Sequence, residues 1–269
     1  TLAKIGCNGG VINERRPGKG NAVRRAFLDI DADIYILADA DLTYPAAQVH
    51  ELMAPVIAGE ADMVVGDRHS AGHYAAENKR ALHGFGNRLV RGLVNMLFRA
   101  NLADIMSGYR VFNRRFVKNY PILVEGFEIE TDMTLHALDK RFRIVEIPVD
   151  YRDRPTGSFS KLNTLLDGAR VLRTIGNILR YYRPLVFFGG AAILFALLGL
   201  IAGMPVLDEW IRERYISHVP LAILATGLEI VAIVIVAIGL ILDSITHQDK
   251  RNFERELLRF KKDTQRARE

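Results

Sequence analysis

Two long uncharged stretches, 185–204 and 219–242, constrain this chain more than any other feature. The first runs for 20 residues without a charge, and the second is broken only by Glu229. Each is long enough to cross the ~30 Å hydrocarbon core of a bilayer as a helix. In lipid the backbone must satisfy its own hydrogen bonds, so helix is the form open to such a segment. The connection between them carries Trp210 and Tyr215, residues suited to a headgroup layer. Arg180 and Arg183 precede the pair, and Lys250, Arg251, Arg255 and Arg259 follow it. The connection itself has only Arg212 and Arg214, offset by Asp208, Glu209 and Glu213. The positive-inside rule therefore predicts that both outer ends lie in the cytoplasm. A carboxylate inside a span is costly, so Glu229 is expected to face protein and to serve helix association.

Residues 161–183 have helical periodicity, with Leu162, Leu165, Leu166, Ala169, Leu172, Ile175, Ile178 and Leu179 on one side and Arg170, Arg173, Arg180 and Arg183 elsewhere. Such a stretch reads as one or two amphipathic helices, lying on a membrane surface or packed on a core. The tail 246–269 is charged and helical in character, with Phe253, Leu257, Leu258 and Phe260 as its apolar anchors.

The remaining 160 residues read as a soluble α/β domain. Hydrophobic residues make up 49% and charged residues 25% of the chain, which excludes disorder. The net charge of +5 is mild, and no nucleic-acid partner is expected. Cys7 stands alone, which excludes a disulfide framework and a cysteine zinc site. The chain opens at Thr1, with neither Met nor a signal-peptide pattern, so a preceding or cleaved segment is expected. Residues 1–10 read as a helix end closed by Gly9-Gly10, and Val11-Ile12 as a short strand. A helix over 22–29, a strand over 34–38, a helix over 45–58 interrupted by Pro55, and a strand over 61–66 follow. This alternation predicts a mostly parallel sheet. An amphipathic helix over 83–100, a polar turn running into a strand that reaches Phe112, a helix over 128–140 and a strand over 144–149 complete the domain.

Strand 34–38 ends abruptly in Asp39-Ala40-Asp41. Ligands of open α/β sheets bind outside the carboxyl ends of strands. Two carboxylates there fit either a solvated turn or a hard divalent cation that bridges phosphate oxygens. Upstream, Gly18-Lys19-Gly20-Asn21 fits either a basic turn or a phosphate-contacting loop, with glycines for close approach and a lysine as point charge. It departs from the Walker pattern because Gly20 stands where Ser or Thr is required. Strand 61–66 ends in Asp67-Arg68, also at a carboxyl end. A polar loop over 69–80 with Lys79 and Arg80, a turn bracketed by Asp104 and Arg110, and a cationic loop with Arg152, Arg154 and Lys161 are further candidates. His136 on its helix reads as structural.

Gly18-Lys19-Gly20-Asn21-Ala22, the stretch Asp39 to Pro45, Gly66-Asp67-Arg68, Asp104…Ser107-Gly108-Tyr109-Arg110 and Ser160-Lys161 occur in one order. Together with two following spans they resemble family 2 glycosyltransferases of the dolichol-phosphate-mannose synthase type, in the GtrB-like polyprenyl-phosphate branch. The resemblance covers about residues 1–245. It implies a GT-A catalytic domain over 1–160, interface helices over 161–183, two transmembrane helices within 184–245 and a cytoplasmic tail over 246–269. It implies inverting transfer of a hexose from a UDP- or GDP-sugar to a polyprenyl phosphate (undecaprenyl or dolichyl) at the cytoplasmic face of the cell inner membrane, by a homo-oligomer in contact with membrane lipid. Carried over residue by residue, Asp39 and Asp41 hold Mg²⁺ or Mn²⁺, and Gly18 and Lys19 join them on the nucleotide-sugar. Arg68, Arg80, Arg110, Arg154 and Lys161 hold the acceptor phosphate. Asp41 and Asp104 are the catalytic carboxylates. The family's opening strand and its Pro-x-x-Asn-Glu segment have no counterpart in this sequence, so the nucleotide base is not implied, and the sheet is expected to lack an N-terminal strand.

Two rivals remain. A processive polysaccharide synthase needs a Gln-x-x-Arg-Trp motif, whereas Trp210 lies between the spans. A membrane-anchored scaffold with a vestigial Asp pair needs none of the chemistry.

Overall fold

The structure is a computed structural model and describes residues 9–69, 81–126, 128–151 and 164–266. Residues 1–8 of the helix end expected over 1–10, and Arg80, Arg154 and Lys161, lie outside the described residues. The chain divides into two compact units, Thr1–Thr164 and Leu165–Glu269.

In the first unit, helix α1 (Lys19–Asp29) leads into strand β1 (Ile34–Leu37). A 3₁₀ turn (Ala46–Gln48) and α2 (Val49–Ile57) precede β2 (Met63–Asp67). Then come α3 (Ala81–Phe98), β3 (Arg110–Asn113), α4 (Arg114–Lys118), α5 (Ile129–Asp139) and β4 (Ile144–Pro148). The sheet order is β1-β3-β2-β4. β2 and β4 are parallel, but β3 runs antiparallel to both of its neighbours. The sheet is therefore mixed and not the mostly parallel one expected, because β3 is inserted between two strands of like direction. Every residue of β2 is buried, as a central strand covered on both faces requires. Leu52, Val64, Tyr109, Val111 and Val149 form the core between α2 and the sheet. Phe116 stacks on Phe112 and meets Phe142 edge-on, closing a second aromatic cluster.

Sequence and structure part in three places. Val11-Ile12 is irregular, with Val11 86% exposed, because no neighbouring strand among the described residues pairs with it. Helix α1 begins at Lys19, so the Gly-Lys-Gly segment is a helix start and not an open loop. Pro55 is accommodated three residues before the cap of α2. Gly59, with φ 72°, then reverses the chain, and Gly59 N–H and Glu60 N–H donate to Val56 and Pro55 carbonyls. This is a Schellman ending, which requires a left-handed residue after the cap.

The register sets the geometry of the site. β1 and β2 point the same way, and β3 starts where they end, with Arg110 beside both Leu37 and Val65. Asp67 is level with Pro148 of β4. Residues 38–41, 67–69, 104–109 and 149–151 therefore gather at one edge of the sheet.

In the second unit, α6 (Thr164–Tyr182) precedes α7 (Pro184–Glu213), which opens with proline in its first turn, where no N–H is needed. α8 (Val219–Arg266) is one helix of 48 residues. At 1.5 Å per residue it is about 70 Å long, so the charged tail continues the helix well beyond a bilayer's ~30 Å core. α7 and α8 are both long and apolar enough to cross a membrane. Large apolar side chains such as Leu194, Ile201, Ile233 and Ile241 face outward. On a water-soluble surface a patch of that extent is rare. Glu229 lies against Gly199 of α7, where an added Cβ would stand 2.6 Å from Oε1. It faces protein, as its cost in lipid demands.

Asn113 joins β3 to α4. Its Oδ1 accepts from Phe116 N–H at 2.8 Å, and its Nδ2 donates to buried Asp62 at 2.8 Å. Asn113→Ala should lower stability by about 1–3 kcal/mol, since it removes a helix cap and a donor to a buried carboxylate. The thermal midpoint of the full chain in detergent measures this.

Candidate active site

Lys19 enters the site from the first position of α1. Gly18 has φ 121°, and a Cβ on it would meet Glu125 O at 2.1 Å. One on Gly20 would meet Val124 O at the same distance, and Gly20 N–H donates to Glu125 O. The two glycines thus serve close packing on the 124–125 backbone, where a ligand contact was expected. They aim Lys19 at Asp39, which its ammonium meets at 2.5 Å, and at Glu130, which it also contacts. Burial disfavours the Lys19 charge, but the hydrogen bonds and charges of Asp39 and Glu130 outweigh it, and its pKa lies above the ordinary value.

Asp41 caps the turn that follows β1. Its Oδ1 accepts from Thr43 Oγ1 at 2.6 Å and from Thr43 N–H at 3.2 Å. Leu42 takes φ 63° to allow this turn. Tyr44 then reaches across to the 107–108 turn, where its hydroxyl accepts from Gly108 N–H. Gly108 lies against Asp39: a Cβ there would stand 2.5 Å from Oδ2 and 3.2 Å from Lys19 Nζ.

Arg68 and Asp104 form the second charged group. Arg68 Nε donates to Oδ2 at 2.7 Å and Nη2 to Oδ1 at 3.0 Å, a two-pronged pair. The Asp104 side chain is almost wholly buried, and Met106 N–H donates to it as well. Burial pushes the Asp104 carboxyl up, yet the hydrogen bond and charge of Arg68, with lesser help from His69 and Met106, hold it below the usual range. Glu146 of β4 accepts from Ala103 and Asp104 N–H groups and so fixes the turn from beneath. Its own pKa is raised, by burial first and by the nearby charges of Asp67 and Asp104. The Arg68 guanidinium also lies 5.5 Å over the Tyr151 ring.

Arg110 corrects the sequence reading. It is fully buried and donates to Ser107 O, Ile105 O and Thr134 Oγ1 at 2.8–2.9 Å. Its guanidinium ties the 105–107 turn to α5 and does not line a phosphate region. Glu130 was passed over in the sequence. The signal was the acidic alternation Glu128-Ile129-Glu130-Thr131-Asp132 at a helix start, which places a carboxylate in the first turn. Glu146 gave no sequence signal beyond a charge inside a strand.

The α/β domain thus gathers an aspartate pair, a lysine and an arginine at strand ends. The model of glycosyl transferase family 2 matches residues 8–120. The chain belongs to this family and is a glycosyltransferase, and its α/β architecture with a mixed sheet is of the GT-A kind. An uncharacterised protein of Shigella flexneri is 41% identical over 53% of this chain and 87% of its own length. Glycosyltransferase AglJ of Haloferax volcanii is 28% identical over 91% of this chain and 80% of its own. The dolichyl-phosphate beta-glucosyltransferase of Saccharomyces cerevisiae is 28% identical over 51% of this chain and 45% of its own. Among solved structures, the chain is similar to glucosyl-3-phosphoglycerate synthase from Mycobacterium tuberculosis in complex with Mn²⁺, UDP and phosphoglyceric acid. That likeness has a TM-score of 0.45 and 22% identity over 62% of this chain. The chain spans 55% of that structure's length, too partial a match to bear on the site.

Arg68→Met should destabilise the protein by about 3 kcal/mol at pH 7, because it strands a buried carboxylate. Asp104 has a lowered pKa when folded, so the pair's stabilisation is present above about pH 4 and is lost as pH falls through the folded value. The gap between wild type and variant should therefore narrow on acidification, as read by denaturation midpoints across pH.

Proposed function

We propose that this protein transfers a hexose from a UDP- or GDP-sugar to a polyprenyl phosphate, with inversion, at the cytoplasmic face of the cell inner membrane. The observation that carries the reading is the union, in one chain, of a glycosyltransferase domain with two consecutive helices long enough to span a bilayer. An acceptor whose tail stays in lipid needs an active site anchored at the surface. Basic residues on the stretch 161–183 suit an anionic leaflet, each contributing ~1 kcal/mol near it. On this reading residues 1–160 are the catalytic domain, and both the domain and the tail over 246–269 are cytoplasmic. The protein works as a homo-oligomer.

Asp39 and Asp41 offer hard oxygen donors, the ligand type that Mg²⁺ or Mn²⁺ takes when it is held by one or two carboxylates and substrate phosphates. Among the described residues no group of three or more potential ligand side chains gathers. When bound, the cation neutralises the departing diphosphate. Lys19 adds a positive charge on the donor side. Arg68, oriented by Asp104, receives the acceptor phosphate, together with Arg80, Arg154 and Lys161 beyond the described residues. A phosphate monoester has its second pKa near 6, so the acceptor is largely ionised at pH 7 and needs little deprotonation. Asp104, committed to Arg68, therefore acts as a positioning residue. Positioning and charge compensation carry the rate.

Asp41→Asn should reduce transfer by about 100-fold or more while expression and folding are unchanged. Membranes containing the full-length protein, polyprenyl phosphate and a panel of UDP-glucose, UDP-galactose and GDP-mannose provide the assay. Turnover that persists after divalent cations are chelated would sink the cation's role. Consumption of no donor would favour the scaffold.

A further inference from the structure

Lys19 contacts two carboxylates that differ in access. The Asp39 side chain is 33% exposed, and that of Glu130 is 8% exposed. We propose that Lys19 is the resident counter-cation of Asp39, displaced when a divalent cation binds that carboxylate, and that Glu130 is the positioning residue that retains Lys19 after the exchange. This rests on the assignment of Asp39 and Asp41 as cation ligands.

The geometry supplies each part. The ammonium occupies Asp39 Oδ1, so a cation held by Asp39 would compete with it for that carboxylate. An ammonium and a divalent cation on one carboxylate repel each other, more strongly in a half-buried site than in water. Occupancy by one therefore disfavours the other. Asp39 is the partner that solvent reaches, so it is the one an incoming cation can take. Glu130 is fixed in the first turn of α5, where the helix end favours a negative charge. It gives the displaced ammonium a partner, so Lys19 stays beside the site without being left as an unpaired buried charge. Gly108 covers Asp39 and Lys19 without a side chain, so nothing at that position has to move for the swap.

The test is binding of Mn²⁺ alone, without nucleotide, to the full chain in detergent, with free Mn²⁺ read by electron paramagnetic resonance. Lys19→Met should bind Mn²⁺ roughly three- to tenfold tighter than wild type, the change expected for removing one partly screened competing ion pair. Lys19→Gln should shift affinity the same way and serves if the methionine variant does not fold. Glu130→Gln should weaken Mn²⁺ binding, because Lys19 then has Asp39 alone. That weakening should vanish when Lys19→Met is combined with it. Mn²⁺ affinity unchanged or reduced in both Lys19 variants overturns the exchange, even if the wild type transfers sugar as proposed. Absence of Mn²⁺ binding in wild type and in both Lys19 variants overturns it too, and donor consumption then judges the proposed function separately.

Discussion

Arg110 is a full charge with no exposed surface, and the edge of the sheet where the candidate site gathers depends on it. Its guanidinium is held by two carbonyls of the 105–107 turn and by the Thr134 hydroxyl. Burial pulls its pKa down, against the opposing charges of Glu130 and Asp104, but arginine starts so high that it stays a cation. A buried charge of this kind is tolerated only where dipoles surround it, and removing any of those partners is expensive. The turn that carries Asp104 and Ser107 is thereby locked to the start of β3 and to α5. The same anchoring brings Glu130 within reach of Lys19.

Around that anchor the site divides into two charged groups. On one side Lys19 sits between Asp39 and Glu130. On the other side Arg68 is held in two-pronged fashion by Asp104, whose turn rests on Glu146. Each cation is presented by a carboxylate more buried than itself, so the cations are oriented before any anion arrives. Orientation before binding is where much of a transferase's rate is found, because no reorganisation is then needed at the reacting centre. The antiparallel insertion of β3 makes this possible. It brings a turn from one strand's start between two strands' ends, which a wholly parallel sheet would not do.

The membrane-length helices answer to a different constraint. Their outward surfaces are apolar and their mutual face carries small residues, with Gly199 opposite Glu229 and Gly203 near Ala225. Without a hydrophobic drive between helices in lipid, close approach at small residues is what holds such a pair. The charged tail extends α8 without a break, so the second span is continuous with a polar helix.

The sequence by itself determined the segments whose signal is local. Spans of apolar residues declared two helices, because lipid leaves the backbone no alternative. Short apolar runs declared β1, β2 and β4, a polar turn running into a strand announced β3, and five motifs in one order pointed to the family. Tertiary structure decided what depends on distant partners. An arginine in a polar turn reads the same whether it faces a phosphate or fills the core, and only the carbonyls around Arg110 tell them apart. The glycines beside Lys19 look like a ligand loop until the 124–125 backbone is found against them. Glu130 lies over 100 residues from Lys19 in the chain, so no spacing rule could join them. Local periodicity reports burial and backbone form, whereas charge pairing is set by strand order and register, which are properties of the folded sheet alone.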